Sequence, residues 1–232
     1  MAIPYVLPDQ AIGPEGGEEI LYQSPHEAAH HWKVSGTAEQ WREHVGLRCS
    51  GNSRLILAVS CGFAGAILRL VGAESGGIHF HGLTSTGKST ALIVSGSVCG
   101  GGGKSGFVQT WRTTINGLEA TAEAHNDGCL FLDELAQVDA REATDTAYLL
   151  GNGQGKSRMT RSIGVRKKLT WTLLCVSAGE LTLAEHAASV GKRAKGGAEI
   201  RLLFVAVRAE DAMLSLEDIA NRILEQEGEG RR

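Results

Sequence analysis

The octapeptide Gly82-Leu83-Thr84-Ser85-Thr86-Gly87-Lys88-Ser89 fits the spacing G-x-x-x-x-G-K-[ST], which suits a loop that binds phosphates. Gly82 and Gly87 let the backbone wrap closely around an anion, so that amide N–H groups and the start of the following helix face its oxygens. Lys88 would bridge the β- and γ-phosphates of a nucleoside triphosphate, and Ser89 would offer its hydroxyl to Mg²⁺. Thr84, Ser85, Thr86 and Thr90 complete the residues expected around the phosphates. The loop stands where that chemistry needs it, after the apolar run Ile78-His79-Phe80-His81 and before the helix-compatible Thr90-Ala91-Leu92-Ile93-Val94. A glycine-rich chain can match such a pattern by chance, and the flanking strand and helix patterns argue against chance.

A second motif follows some forty residues on. Cys129-Leu130-Phe131-Leu132 runs straight into Asp133-Glu134, so a buried strand would deliver two carboxylates to the carboxyl edge of a sheet, where the phosphate loop also lies. Asp133 is expected in the Mg²⁺ shell and Glu134 as the group that orients and polarises an attacking water. The pair favours hydrolysis over kinase chemistry, because a water nucleophile needs an acceptor whereas a kinase must exclude water. The competing reading is a strand followed by a solvated helix cap. A third strand, expected over residues 169–176, ends at Ser177. In oligomeric P-loop ATPases of the AAA+ type a polar residue there contacts the γ-phosphate or the water, which makes Ser177 a candidate and Glu180 a weaker one, against a plain polar strand end. Arg193, or Arg201, could serve as a finger or sensor on the transferred phosphate, against plain surface charge.

Residues 156–168, Lys-Ser-Arg-Met-Thr-Arg-Ser-Ile-Gly-Val-Arg-Lys-Lys, hold six basic residues and no acid. This is the one concentrated positive patch in the sequence. Placed as a hairpin just before the third strand, Arg158, Arg161, Arg166, Lys167 and Lys168 could meet nucleic-acid phosphates. Arg158 or Arg161 could instead reach a neighbouring subunit's ATP, and a solvated charged hairpin is the plain alternative. The acids between residues 119 and 145 other than Asp133 and Glu134 read as solvated helix faces.

These residues need a scaffold, and the composition bounds it. A chain of 232 residues that is 42% hydrophobic and 21% charged can bury a core without disulfides and is neither disordered nor fibrous. The formal net charge of -3 gives no global attraction to nucleic acid or anionic membrane. Five well-spaced cysteines without a C-x-x-C pair read as reduced, mostly buried thiols of a cytoplasmic protein. No basic-then-apolar signal peptide opens the chain. His26, His30 and His31 lie close in sequence, but no cysteine stands nearby and His30 and His31 would diverge on a helix, which argues against a tetrahedral zinc set.

Thr37 begins a capping box with Gln40, and Asn52-Ser53 can cap the next helix. Leu55 to Val71 is nearly all apolar, yet Arg54 and Arg69 bound it and Ser60, Gly62 and Gly65 dilute it, so a buried packing helix is expected and not a membrane span. Beyond residue 77 short apolar runs, including Ile200 to Val207, alternate with helical stretches, which predicts a parallel sheet covered on both faces. The expected organisation is an irregular leader over 1–35, an N-terminal helical region over 36–75, a P-loop ATPase core over 76–210, and a C-terminal helix with a charged tail over 211–232. The Asn116-Gly117 pair reads as a turn or helix break, and the run Gly100-Gly101-Gly102-Gly103 as a mobile loop.

The ordered series Gly51-Asn52-Ser53-Arg54-Leu55, Glu74-Ser75-Gly76-Gly77, the phosphate loop, Asn116-Gly117-Leu118-Glu119, Leu132-Asp133-Glu134-Leu135, Gly151-Asn152-Gly153 and Gly179-Glu180 resembles the domain of unknown function 927 ATPases. These occur in phage, plasmid and other mobile-element proteins, often joined to primase-like regions. The resemblance implies an α/β P-loop NTPase, AAA+-like, forming a homo-oligomeric ring such as a hexamer. It also implies ATP and Mg²⁺ as cofactors, DNA as a partner, a primase as a further partner, and no membrane. ATP over GTP follows from the resemblance and from the lack of an N/T-K-x-D guanine-reading motif. The expected function is an ATP-driven helicase or translocase-like motor. The alternatives are a nucleotide-gated switch or loader that does not translocate, and a small-molecule kinase, which the acid pair fits poorly.

Overall fold

The fold is that of a computed structural model, which describes residues 4–7, 10–13, 31–103, 106–157 and 168–208. Near the N-terminus β1 (Tyr5–Val6) pairs antiparallel with β2 (Ala11–Ile12), so part of the expected irregular leader is a small hairpin. It is tied to the core by the Tyr5 hydroxyl, which donates to Asp127 O at 2.8 Å, and by the edge contact of Tyr5 with Trp32. Thr37 caps α1 (Ala38–His44) with both bonds of the capping box in place. Asn52 caps α2 (Ser53–Ala64), accepting from the amides of Arg54 and Leu55.

The helix α2 stops at Ala64, well short of Val71, and continues only as a 3-10 turn, Gly65–Ile67. It is not buried all round. Leu55, Ala58, Cys61 and Gly62 face the core while Ile56 and Phe63 lie about half exposed, the one-sided burial of a helix packed on a sheet. Among the described residues no helix is long and apolar enough to cross a membrane.

Five parallel strands form the main sheet. In chain order these and their helices are β3 (Gly76–His81), α3 (Lys88–Gly96), β4 (Val108–Thr110), α4 (Ile115–Ala124), β5 (Gly128–Asp133), α5 (Ala143–Gly151), β6 (Leu173–Gly179), α6 (Leu183–Ala188), α7 (Gly196–Arg201) and β7 (Leu202–Ala206). Their spatial order is β4-β5-β6-β3-β7, every neighbouring pair parallel. The expectation of a parallel sheet flanked by helices therefore holds. Alternate residues of each strand feed two separate cores. Cys129, Phe131, Val176 and Ala178 pack on one face with Leu55, Ala58 and Leu92. Leu130, Leu132, Leu173 and Cys175 pack on the other with Leu118, Ala147 and Leu183.

Two expected strands begin later than their apolar runs. Residues 169–172 turn back on the segment after α5: Trp171 N donates to Gly153 O, Gly155 N to Leu169 O, and Gln154 bridges Thr170 antiparallel. The Trp171 indole donates to Leu150 O at 2.9 Å, fixing that stem, and β6 starts only at Leu173. Likewise Ile200 and Arg201 end α7, with Arg201 packed over Tyr148 of α5 and Ile200 exposed, and β7 starts at Leu202.

Two loop readings are corrected. Asn116 and Gly117 neither turn nor break the chain, since they form the first turn of α4, where the Thr114 hydroxyl accepts from Gly117 N. The run Gly100 to Gly103 is packed and not loose. A Cβ on Gly102 would lie 2.1 Å from Ile93 O, so glycine is required there for α3 to approach. All five cysteines are buried thiols. Burial pushes Cys61 and Cys175 up to about 12, which leaves them without thiolate character at neutral pH.

Candidate nucleotide site

Strand register brings the two motifs to one edge. His81, the last residue of β3, is level with Gly179, the last of β6, and Leu132 is level with Ser177. The phosphate loop leaving β3 and the acids ending β5 therefore emerge side by side with only β6 between them. Two strand spacings separate them, about 10 Å.

The loop is built for close approach by an anion. A Cβ on Gly82 would lie 2.1 Å from Val207 O, because Val207 N also donates to His81 O and holds β7 against the loop's root. Ser85 takes φ 62, and Gly87 caps α3 at φ 92. These turns put the N-terminus of the nine-residue α3 at the loop, with Lys88 buried at its first position and Ser89 exposed. The Thr86 hydroxyl donates to Leu83 O at 2.8 Å, and Lys88 Nζ donates to the same carbonyl at 2.5 Å. The lysine thus lies along the inside of its own loop. Thr90 is half-buried in the first turn of α3.

On the other side Asp133 Oδ1 accepts from Glu134 N at 3.0 Å. Glu134 is held at φ 63, ψ 74, a conformation that costs a side-chain-bearing residue about 1–3 kcal/mol and persists where surroundings enforce it. Among the described residues three without glycine's freedom have positive φ, and two of them, Ser85 and Glu134, stand in this site. Such strain concentrates at functional positions. The donor-rich loop, the buried lysine and the carboxylates at the same sheet edge fit a phosphate chain with a divalent cation.

Ser177 is not at this edge. Because β6 runs on to Gly179, Ser177 lies inside the strand and is wholly buried. Its hydroxyl meets His79 Nδ1 at 2.8 Å and the Trp111 indole N–H at 2.8 Å. The residue that follows the strand end is Glu180, whose carboxylate accepts from the Thr84 hydroxyl of the phosphate loop. Arg193 is exposed on the turn between α6 and α7. That turn is fastened by Lys192, which donates to Arg141 O, and by Lys195, 2.6 Å from Asp145. Arg201 stacks over Tyr148 at 4.6 Å and donates to Gly197 O, a packing role on α5.

Of the basic segment, Arg158, Arg161, Arg166 and Lys167 lie outside the described residues. Lys168 donates to Gln154 Oε1 at 2.8 Å across the stem formed with Thr170. His26 and His30 also lie outside the described residues, and His31 packs edge-on to Phe107.

A family model for the domain of unknown function 927 (DUF927) matches residues 2–170. The chain belongs to the DUF927 family. Among solved structures this DUF927 chain is similar to one described as the SCCmec type IV Cch active helicase, with 24% identity and a TM-score of 0.63 over 85% of this chain and 38% of that one. The DUF927 chain thus spans well under half the length of that relative, and the likeness is one of fold, a parallel sheet flanked by helices as P-loop NTPase-like α/β folds have. An inhibitor-bound JCV helicase aligns at 13% identity over 82% of this chain and 52% of that one, with a TM-score of 0.42. No curated protein matches.

Proposed function

We propose that this DUF927 chain is a Mg²⁺-dependent ATPase that drives work on DNA, as a helicase or translocase-like motor of a mobile genetic element. The observation that carries the ATPase reading is the register of β3, β6 and β5, which brings Lys88 and the Asp133-Glu134 pair to one sheet edge. Gly82, Thr84, Ser85, Thr86, Gly87 and Thr90 cradle the phosphates, and Lys88 supplies a fixed cation against them. Ser89 and Asp133 would hold Mg²⁺, which when bound neutralises charge developing on the phosphate oxygens. Glu134 orients a water for attack and accepts its proton. The DNA reading is supported by the basic segment that lies in sequence between Gln154 and Thr170 and by the family resemblance. A ring of copies and a primase partner belong to the same reading.

The test is the ATPase rate with and without single-stranded DNA, on material whose oligomeric state has been sized. A basal rate lost in K88A and raised by DNA is the expected result. Hydrolysis without any DNA response would leave a nucleotide-gated switch, and no hydrolysis at all would remove the motor.

A further inference from the structure

A buried chain of hydrogen bonds runs beneath the whole site. The Trp111 indole and His79 Nδ1 both meet the Ser177 hydroxyl at 2.8 Å, and His79 Nε2 meets Leu181 O at 3.1 Å. One arrangement of protons satisfies it. An indole N–H can only donate and a carbonyl can only accept. His79 Nε2 therefore carries the proton toward Leu181 O, Nδ1 presents its lone pair, and the Ser177 hydroxyl donates to Nδ1 while accepting from Trp111. His79, Ser177 and Trp111 are all buried, so each link would be costly to break.

Both ends of this chain are attached to the site. At one end Trp111 N donates to Asp133 O at 3.2 Å. At the other, Leu181 follows Glu180, whose carboxylate accepts from Thr84 in the phosphate loop. We propose that His79 is a positioning residue, which through its Nε2–H bond to Leu181 O holds Glu180 where it fixes Thr84 and preforms the phosphate loop. The inference rests on the ATPase reading and adds to it a residue that touches no nucleotide. Burial lowers the His79 pKa to about 4, with His81 and Lys88 nearby acting in the same direction, so the ring is neutral at physiological pH as this bonding requires. Fixing the loop before nucleotide arrives lowers the entropy lost on binding.

The experiment measures MgATP affinity and steady-state kinetics for the wild type, H79L, H79Q, E180A and the H79L/E180A double variant, with thermal melting of each. H79L should weaken MgATP binding and raise KM about tenfold with kcat unchanged. H79Q, which can still donate to Leu181 O, should restore most of the affinity. E180A should reproduce H79L, and the double variant should be no worse than either single one, since the two act in series. Unchanged affinity in a folded H79L overturns the inference, as do multiplying penalties in the double variant. So does tighter binding by E180A, the result of a carboxylate that only repels phosphate. If H79L does not fold, H79Q and the ring ¹⁵N spectrum of wild-type His79 decide, and a proton on Nδ1 refutes the assignment. A wild type that neither binds nor hydrolyses MgATP overturns the ATPase reading itself, whereas a normal wild type with unaffected His79 variants overturns this inference alone.

Discussion

The Thr84 hydroxyl donates to the Glu180 carboxylate across 96 positions of sequence, joining the phosphate loop to the end of the strand that separates it from the acid pair. The contact makes one unit of the loop after β3 and the turn after β6. Loop geometry in this protein is thus set from the neighbouring strand as well as from the loop's own glycines.

Replacing Lys88 with Ala removes a buried cation from the first turn of α3. Turnover should fall by about 10²-fold or more, the cost of deleting one preorganised electrostatic donor, together with MgATP affinity. A calorimetric titration beside an ATPase assay checks both.

Glu134→Gln keeps the size of the side chain and removes the proton acceptor. Nucleotide should still bind while hydrolysis drops about 10²–10⁴-fold, the usual contribution of a positioned base. Retention of bound, unhydrolysed ATP after rapid desalting is the diagnostic.

Stability should depend on pH through His79. Its ring takes up a proton near 6.5 in the unfolded chain but only near 4 when folded, so between these values the unfolded state binds more protons. Stability is full above about 6.5 and falls as pH drops toward 4, with a loss from His79 of about 2 kcal/mol between pH 7 and pH 5. Urea melts at both values should show this loss in the wild type and a smaller one in H79Q. His125, also lowered by burial, contributes the same sign to both proteins.

Phe107 is fully buried, 4.7 Å from Trp32 and 5.7 Å from Phe131 between ring centres. Phe107→Ala should cost about 3–5 kcal/mol and lower Tm by roughly 10 °C. A scanning calorimetry trace, with Trp32 fluorescence reporting the local packing, tests whether the N-terminal segment is part of the core.

Neutralising Arg166, Lys167 and Lys168 together should weaken single-stranded DNA binding and reduce the salt slope by about 2. Affinity measured across a salt series reads both quantities. An unchanged slope would remove this segment from the DNA contact.

The phosphate-loop motif, the acid pair and the Thr37 and Asn52 caps were legible in the sequence because each is a local signal, a fixed spacing whose geometry is set within a few residues. Alternating strands and helices gave the parallel sheet for the same reason, since the apolar period reflects burial on two faces. Where β6 begins was not local. The pairing of Trp171 with Gly153 and its indole bond to Leu150 O compete with the sheet for residues 169–172, while at the other end pairing with β3 carries the strand on to Gly179, which places Ser177 inside it and leaves Glu180 at the edge. The Trp111–Ser177–His79 chain joins residues 66 and 98 positions apart, with no spacing signal to announce it. The one-dimensional pattern determined which groups this protein offers in the loop after β3 and at the end of β5. Strand order and register, set by long-range packing of two cores, decided which of them stand at the edge and which buried groups hold them there.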